Sequence, residues 1–128
     1  MRASGPFEVT IHTLSSSAPD EALLGRRSIA KVFHGDLEGT AVGEMLTAGT
    51  TVQGSGAYVA VDRVTGTLHG HTGSFTMLHT GLMSRGTPQL TVAILADSGS
   101  GALTGITGSF AIRVVDGQHF YDLDYTLP

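Results

Sequence analysis

The sequence predicts an all-β protein: a closed, antiparallel β-barrel of eight strands that forms a single domain over residues 1–128. Three observations support this class. Apolar and polar residues alternate with a period of two in several segments, as they do in half-buried strands. The 18 glycines among 128 residues are spread along the chain, as expected for turns between short strands. A ten-residue pattern occurs twice, and no segment carries an apolar stripe of helical period over ten or more residues.

The first strand is predicted from Phe7, Val9 and Ile11, which alternate with polar residues. Residues 13–25 contain three serines and a proline, which predicts a long loop acting as a lid, with one helical turn at residues 20–24. Seven further strands are predicted at residues 26–34, 36–50, 58–68, 73–84, 90–96, 109–115 and 119–127. The short turns between them imply antiparallel neighbours. Eight such strands form a barrel or a sandwich, and closure into a barrel removes the edge strands that promote aggregation.

The repeat favours the barrel and orients one histidine. Residues 66–75 (GTLHGHTGSF) recur as residues 101–110 (GALTGITGSF) with seven of ten positions identical, and residues 35–39 (GDLEG) form a weaker third copy. The pattern is typical of a hairpin in which the leucine points inward, the glycines supply positive φ, and the phenylalanine starts the next inward row. In the second copy that row starts at Phe110. The offset of 35 residues places Phe75, Met77 and His79 in the equivalent row, so His79 is predicted to face the interior.

Composition excludes several classes of function. Seven basic and eleven acidic residues give a net charge of -4, which has the wrong sign for binding phosphates, so nucleic acid is not an expected partner. Without cysteine the chain has no disulfide, thiol nucleophile or thiolate metal site. The N-terminal residues lack the apolar core of a signal peptide, and no apolar run approaches the ~18 residues that span a bilayer. A cytoplasmic protein without a membrane partner is expected.

Ionisable side chains that point into the barrel are the candidate functional residues, because the interior of eight strands is filled by side chains or holds one small ligand. His79 is interpreted either as a buried, hydrogen-bonded residue or as an acid or base in a cavity. Glu44 shares a strand face with Val42 and Leu46, which predicts a desolvated carboxylate with a raised pKa. Glu44 and His79 are therefore the first catalytic candidates.

Two neighbouring residues of the fourth strand complete the candidates. Arg63 shares a face with Val59 and Val61 and is expected to pair with Glu44. The pair is interpreted either as a structural link between strands or as a catalytic or ligand-binding pair. Asp62 has the opposite parity and faces inward together with Arg63 only if a bulge intervenes, so it is an additional catalytic candidate.

Sites for metals, nucleotides and serine nucleophiles are not predicted. His69 and His71 have the spacing of metal ligands on a strand, but they fall in the predicted turn, and the second copy of the repeat has neither histidine. The glycine clusters at 54–56 and 99–101 precede no helix and lack the lysine of a P-loop. Ser74 and Ser109 are equivalent positions of the repeat and are interpreted as turn residues. We therefore expect no metal and no cofactor.

Six short runs of residues, spread over nearly the whole chain, carry a family resemblance. They are residues 33–39 (FHGDLEG), 43–46 (GEML), 62–68 (DRVTGTL), 73–75 (GSF), 79–81 (HTG) and 121–125 (YDLDY). Together they resemble an uncharacterised bacterial family, a domain of unknown function whose solved members are eight-stranded barrels similar to allene oxide cyclase and dirigent proteins. The resemblance implies a calycin-like barrel and no established reaction. Where that family has Glu-Arg, this chain has Asp62-Arg63, with a shortened carboxylate.

Three functions are compatible with such a barrel. The first is the binding of a small apolar or amphipathic molecule by wall residues that include Phe33, Tyr58, Phe75, Met77 and Phe110. The second adds an isomerisation or cyclisation by Glu44 and His79, oriented by Arg63, in analogy with allene oxide cyclase and without a metal or nucleotide cofactor. The third is a solid barrel without a ligand cavity, which acts through its outer surface or as a homo-oligomer.

Overall fold

The computed structural model describes residues 1–16 and 23–128. All regular secondary structure in these ranges is β-strand. The strands are β1 (Arg2–Ser16), β2 (Leu24–Phe33), β3 (Leu37–Gly49), β4 (Gly56–Leu68), β5 (His71–Ser84), β6 (Thr87–Ile94), β7 (Ser100–Gly101), β8 (Thr107–Val115) and β9 (Gln118–Thr126). Within the same ranges there is no helix with the length and hydropathy needed to cross a membrane.

Eight of the strands form the wall of a closed antiparallel barrel, which confirms the predicted class. The hydrogen-bonded order is β4-β3-β2-β1-β9-β8-β6-β5, and β5 pairs back with β4. The remaining strand, β7, is two residues long and pairs with β5 near its start. The register between β6 and β8 is defined by one residue pair, Ala93 with Ser109, whereas β2 to β5 pair along most of their length. The most continuous part of the wall is therefore β2 to β5.

The bounds of the long loop predicted at residues 13–25 are wrong at both ends. β1 continues to Ser16 and β2 begins at Leu24, and Thr13 pairs with Arg27 before a register shift in β1. Backbone pairing between two long neighbouring strands overrides the weak strand propensity of the serines. Residues 17–22, which include the middle of the predicted lid and the first three residues of the predicted helical turn, lie outside the described residues.

The two copies of the repeat fold differently, although each buries its leucine, Leu68 or Leu103, completely. The first copy is the predicted hairpin, and its turn, His69 and Gly70, has φ of 46° and 82°. The second copy is not a hairpin: the chain leaves β7 through a series of turns before β8 begins. The two copies also differ in burial, since Ile106 is fully buried, whereas the equivalent His71 is exposed at the start of β5.

One end of the barrel is filled by aromatic rings. The rings of Phe7, Phe33, Phe110 and Tyr121 have centroids 5.6–6.4 Å apart, within the usual range for aromatic pairs. The Tyr121 hydroxyl accepts a hydrogen bond from a backbone N–H of the β2–β3 turn at 2.9 Å and donates one to a carbonyl of the same turn at 2.7 Å. These rings and the Tyr121 hydrogen bonds fill the barrel interior next to the β2–β3 turn.

Candidate functional site

Three titratable side chains are buried together inside the barrel: Lys31 on β2, Asp62 on β4 and His79 on β5. Each residue is at most 5% exposed. Lys31 Nζ lies 2.7 Å from Asp62 Oδ2, and His79 Nε2 lies 3.0 Å from Asp62 Oδ1 and 3.4 Å from Lys31 Nζ. Apart from Ser74 and the tyrosines, no other residue with a polar side chain is buried in the described part of the chain. We call these three residues the buried triad.

Small residues on β3 allow the buried triad to form across that strand. β3 lies between β2 and β4, with Ala41 opposite Lys31 and Gly43 opposite Asp62. A Cβ at position 43 would overlap the Val61 carbonyl oxygen and lie 2.6 Å from the Asp62 Cβ, closer than such atoms pack. Glycine at this position therefore leaves the space that Asp62 occupies, and the Lys31 ammonium reaches the carboxylate past a strand with almost no side-chain volume.

The Asp62 carboxyl group is ionised at neutral pH. Burial raises its pKa, but the hydrogen bond from His79 and the positive charge of Lys31 outweigh that effect and hold the pKa below the usual 3.8. A carboxylate only accepts hydrogen bonds, so His79 Nε2 carries the hydrogen that it donates to Asp62. In the neutral imidazole the other nitrogen, Nδ1, is then an acceptor.

His79 Nδ1 opens into free space. The hydrogen bond to Asp62 and the 3.4 Å approach of Lys31 Nζ are both at Nε2, and no buried side-chain nitrogen or oxygen in the described part of the chain lacks a partner. An Nδ1 without a partner must therefore be accessible, and His79 lines a partly open cavity. A basic nitrogen thus faces a space that a small molecule can occupy.

That cavity has a volume of about 240 Å³. At ~30 Å³ per water molecule this is the volume of about eight waters. Its walls are mainly apolar and include Val9, Ile29, Ala60 and Ile112, while Lys31, His79 and His119 line it with titratable groups. Asp62 does not line the cavity, so the carboxylate lies behind the two groups that it orients.

The cavity leads to a wider depression of about 740 Å³ at the open end of the barrel. The two spaces share Ile11, Met45, Tyr58 and Leu90. The depression is bordered by the β3–β4 and β5–β6 turns, and we call it the mouth. A ligand that exceeds the cavity in size therefore has room to extend into the mouth.

Tyr58 stands where the cavity meets the mouth. Its ring lies against Gly81, its partner in the β4–β5 register, where any Cβ would overlap the ring carbons. Burial, followed by the negative charge of Asp62, raises the pKa of the Tyr58 hydroxyl above its usual 10.0. The hydroxyl is therefore protonated at neutral pH and offers a neutral hydrogen-bonding group at the entrance.

Two predicted catalytic residues lie on the outside of the barrel, which corrects their assignment. Glu44 is exposed, and its hydrogen bond with Arg26 at 2.6 Å lowers the pKa of the carboxyl group that was expected to be raised. Arg63 is also exposed and donates a hydrogen bond to the Ser74 hydroxyl at 2.6 Å, not to Glu44. The alternation misleads because the outer face of β3 and β4 is itself apolar. Its exposed side chains include Val42, Leu46, Val59 and Val61.

Asp62 and His79 are the predicted residues that the fold brings together. The inward orientation of His79 agrees with its place in the repeat, and Asp62 faces inward between Ala60 and Val64 without the bulge that the prediction required. Sequence reasoning missed Lys31. The signal was present, because Lys31 lies between Ile29 and Phe33 in a row of period two whose members are all buried.

Of the five predicted wall residues, only Tyr58 lines the cavity. The others, Phe33, Phe75, Met77 and Phe110, are at most 4% exposed and belong to the packed core. Large apolar side chains fill the end of the barrel where they meet. Free volume is left where the inward side chains are smaller, as at Ala60.

His69 and His71, which were considered as metal ligands, lie in different surroundings. His69 Nδ1 lies 2.5 Å from the Tyr125 hydroxyl and its Nε2 lies 3.7 Å from Asp36, whereas His71 is exposed. Among the residues that the structure describes, no three histidine, aspartate or glutamate side chains are grouped so that they would hold a metal ion.

Comparison with known proteins bears out the resemblance found in the sequence. The profile of a family described as "Protein of unknown function (DUF3224)" matches residues 3–125. The chain is similar to a protein of unknown function from the same family, from Shewanella oneidensis MR-1, whose crystal structure shares 38% sequence identity with it. The match covers 100% of this chain and 97% of that one, with a TM-score of 0.93. No curated protein matches the chain.

Proposed function

Because this chain belongs to the DUF3224 family, whose description names no activity, we propose a function from the interior of the barrel. The barrel binds a small apolar or amphipathic molecule in its cavity, and the buried triad supplies acid–base catalysis for an isomerisation or cyclisation of that molecule. One observation carries the proposal: the unpartnered Nδ1 of His79 opens into an otherwise largely apolar cavity.

The lining of the cavity supports binding. Sites for small molecules are concave and mainly apolar, with a few polar groups that fix orientation. Here Lys31 and His79, with His119 as a further titratable group in the lining, are those groups, and the apolar walls provide the surface for the rest of the ligand. The cavity also argues against the fully packed barrel that the sequence left as an alternative. Self-association and a cytoplasmic location stay predictions.

The free-energy cost of burying three titratable groups supports a functional role for the buried triad. Apolar residues of similar volume are often at least as stabilising as a buried ion pair, because removing charges from water is costly. The observed groups are moreover arranged as in catalytic histidine–carboxylate pairs, in which the carboxylate orients the ring and stabilises its protonated form. Asp62 has this relation to His79, and the Lys31 ammonium adds a positive charge that can stabilise a developing anion.

Ligand binding is tested first by native mass spectrometry of the protein purified from its source organism. A bound small molecule would identify the ligand class directly. The location is tested by NMR of the methionine methyl groups with cyclohexanone as the probe. Binding in the cavity should shift the methyl resonance of Met45, which lines it, and leave that of Met77, in the packed core, unchanged.

A pair of variants on β4 makes the location test decisive. Ala60→Leu adds volume inside the cavity and should abolish the Met45 shift. Val59→Leu changes the adjacent residue on the outer face and serves as the matched control. Equal binding by the two variants, or no binding by the unmodified protein, would contradict the proposed site.

A further inference from the structure

The cavity identifies a class of substrate, given the proposed function on which this step rests. We infer that the substrate is a small, uncharged carbonyl compound with a removable proton next to the carbonyl group. The Lys31 ammonium binds the carbonyl oxygen, and His79 Nδ1 removes the proton. The molecule enters polar end first, with its apolar part directed toward the mouth.

The charge of the buried triad favours an uncharged ligand. Asp62 carries one negative charge and its partner Lys31 one positive charge, so the pair is balanced before a ligand arrives. A ligand carboxylate at Lys31 would place two buried anions beside one cation, which low-dielectric surroundings penalise strongly. A neutral carbonyl oxygen accepts a hydrogen bond without upsetting this balance.

Lys31 is placed to act as a donor. An ammonium group has three N–H donors and no acceptor. One of them is directed to Asp62 Oδ2 at 2.7 Å, and the side chain lines the cavity, where the remaining N–H groups meet the ligand. The same contact with the Asp62 carboxylate holds the ammonium group in place, which suits an electrostatic role.

His79 is placed to act on the adjacent carbon. Its Nε2 is 3.4 Å from Lys31 Nζ, so the donor and the ring are neighbours on one cavity wall. Nδ1 is the open nitrogen of the same ring. When Lys31 holds the carbonyl oxygen, the carbon next to the carbonyl group therefore lies beside His79, within the distance that proton transfer requires.

The reaction is balanced without a further reactant. The C–H bond next to the carbonyl breaks, its proton moves to Nδ1, and its electron pair forms an enolate whose oxygen is held by Lys31. Asp62 accepts the Nε2–H hydrogen bond throughout and stabilises the imidazolium ion. When the substrate also has a carbon–carbon double bond one carbon further on, the enolate is conjugated with it, and return of the proton to the far carbon of that bond gives the conjugated isomer. Nothing is oxidised or reduced.

The test uses the full chain and two commercial ketones. For cyclohexanone in D2O, NMR follows the exchange of protons next to the carbonyl; for 3-cyclohexenone, ultraviolet absorbance follows conversion to the conjugated 2-cyclohexenone. A positioned general base typically contributes 10²- to 10⁴-fold, so we expect rates at least about 100-fold above those with an equal concentration of free imidazole. Cyclohexanecarboxylic acid, the charged counterpart, should bind more weakly than cyclohexanone.

Variants assign the rate to the proposed atoms. His79→Gln should reduce both rates to the imidazole background, and His71→Gln, which changes an exposed histidine, should leave them unchanged. Lys31→Met combined with Asp62→Asn removes both charges together, which avoids a buried unpaired ion. This double variant should still bind cyclohexanone, as judged by the Met45 methyl shift, and should lose the rate enhancement.

Each contrary result identifies what fails. Binding of cyclohexanone at Met45 with exchange at the background rate would overturn the carbonyl chemistry while leaving the proposed binding intact. Tighter binding of the carboxylic acid would overturn the uncharged class. A covalent adduct on Lys31 after treatment with cyanoborohydride would overturn its role as a donor. Absence of any methyl shift with either ketone would overturn this inference and the proposed function together.

Discussion

Asp62 Oδ1 and His79 Nε2 are 3.0 Å apart on the inner face of two neighbouring strands. The residues are not direct partners in the register, because Asp62 pairs with Met77 and His79 pairs with Ala60. The contact is therefore a diagonal one, which long side chains on adjacent strands can make. It fixes which nitrogen of His79 is held and which one is open to the cavity.

The charge balance of the buried triad predicts the effect of Asp62→Asn. Removing the carboxylate leaves the Lys31 ammonium buried without its anion, a change that typically costs 3–5 kcal/mol, so we expect a loss of about that size in the free energy of unfolding. Combining it with Lys31→Met should recover most of the loss. Urea denaturation followed by circular dichroism measures all three proteins. A double variant no more stable than Asp62→Asn would contradict the prediction.

The lowered pKa of Asp62 predicts a loss of stability in acid. Its folded pKa lies below the unfolded value near 3.8, so the unfolded chain binds more protons in this range. The stabilisation is therefore complete well above pH 3.8 and is lost as the pH falls through the folded pKa. We expect the free energy of unfolding to fall between about pH 5 and pH 2.

The same double variant provides the control for this acid sensitivity. Lys31→Met with Asp62→Asn removes the buried pair, whereas the carboxyl groups of Asp122 and Asp124, which also have lowered pKa values, remain in both proteins. The unmodified protein should consequently lose more stability over the acid range than the double variant. Parallel pH profiles would show that Asp62 contributes nothing to it.

The barrel was predictable because its signals are local and repeated. Alternation and glycine turns specify short antiparallel strands, and the repeat specifies the inward face of β5, including His79. The position of Asp62 and Arg63 was not predictable in the same way. An alternation of period two divides a strand into two faces, but it identifies the inward face only when the outward face is polar. The outward face of β4 is apolar, so the alternation does not identify its inward face.

The partners of the buried triad depend on long-range register. Lys31 and Asp62 are 31 residues apart and meet because β3 presents small residues between them. The residues around Lys31 do not indicate that β3 lies between β2 and β4, or that Gly43 lies opposite Asp62. A buried lysine is detectable in the alternation of β2, but its anion is defined only by the closed sheet.

Glu44→Gln tests the corrected position of Glu44. Its carboxylate lies outside the barrel, paired with Arg26, and both side chains are about half exposed. Exposed ion pairs contribute little, so the variant should keep the thermal midpoint and the cyclohexanone-dependent Met45 shift of the unmodified protein. Thermal unfolding and NMR measure these two properties. Loss of the methyl shift without a change in the thermal midpoint would indicate that Glu44 belongs to the ligand site.

Gly81→Ala tests the contact between Gly81 and Tyr58. An added Cβ would overlap the Tyr58 ring, so the ring must move, and overpacking of this kind typically costs 1–3 kcal/mol. In a Tyr58→Ala background the same change meets no ring. There it should be neutral, or stabilise by ~0.5–1 kcal/mol, because alanine has less backbone freedom than glycine to lose on folding.

Urea denaturation of the unmodified protein, both single variants and the double variant gives the coupling between positions 58 and 81. A coupling of at least about 1 kcal/mol is expected, since the cost of Gly81→Ala comes from one ring. An equal cost in both backgrounds would instead place the constraint in the β5 backbone. With a strong coupling, the position of the Tyr58 ring at the entrance is fixed by the missing side chain of Gly81, and the width of that entrance follows from a single glycine.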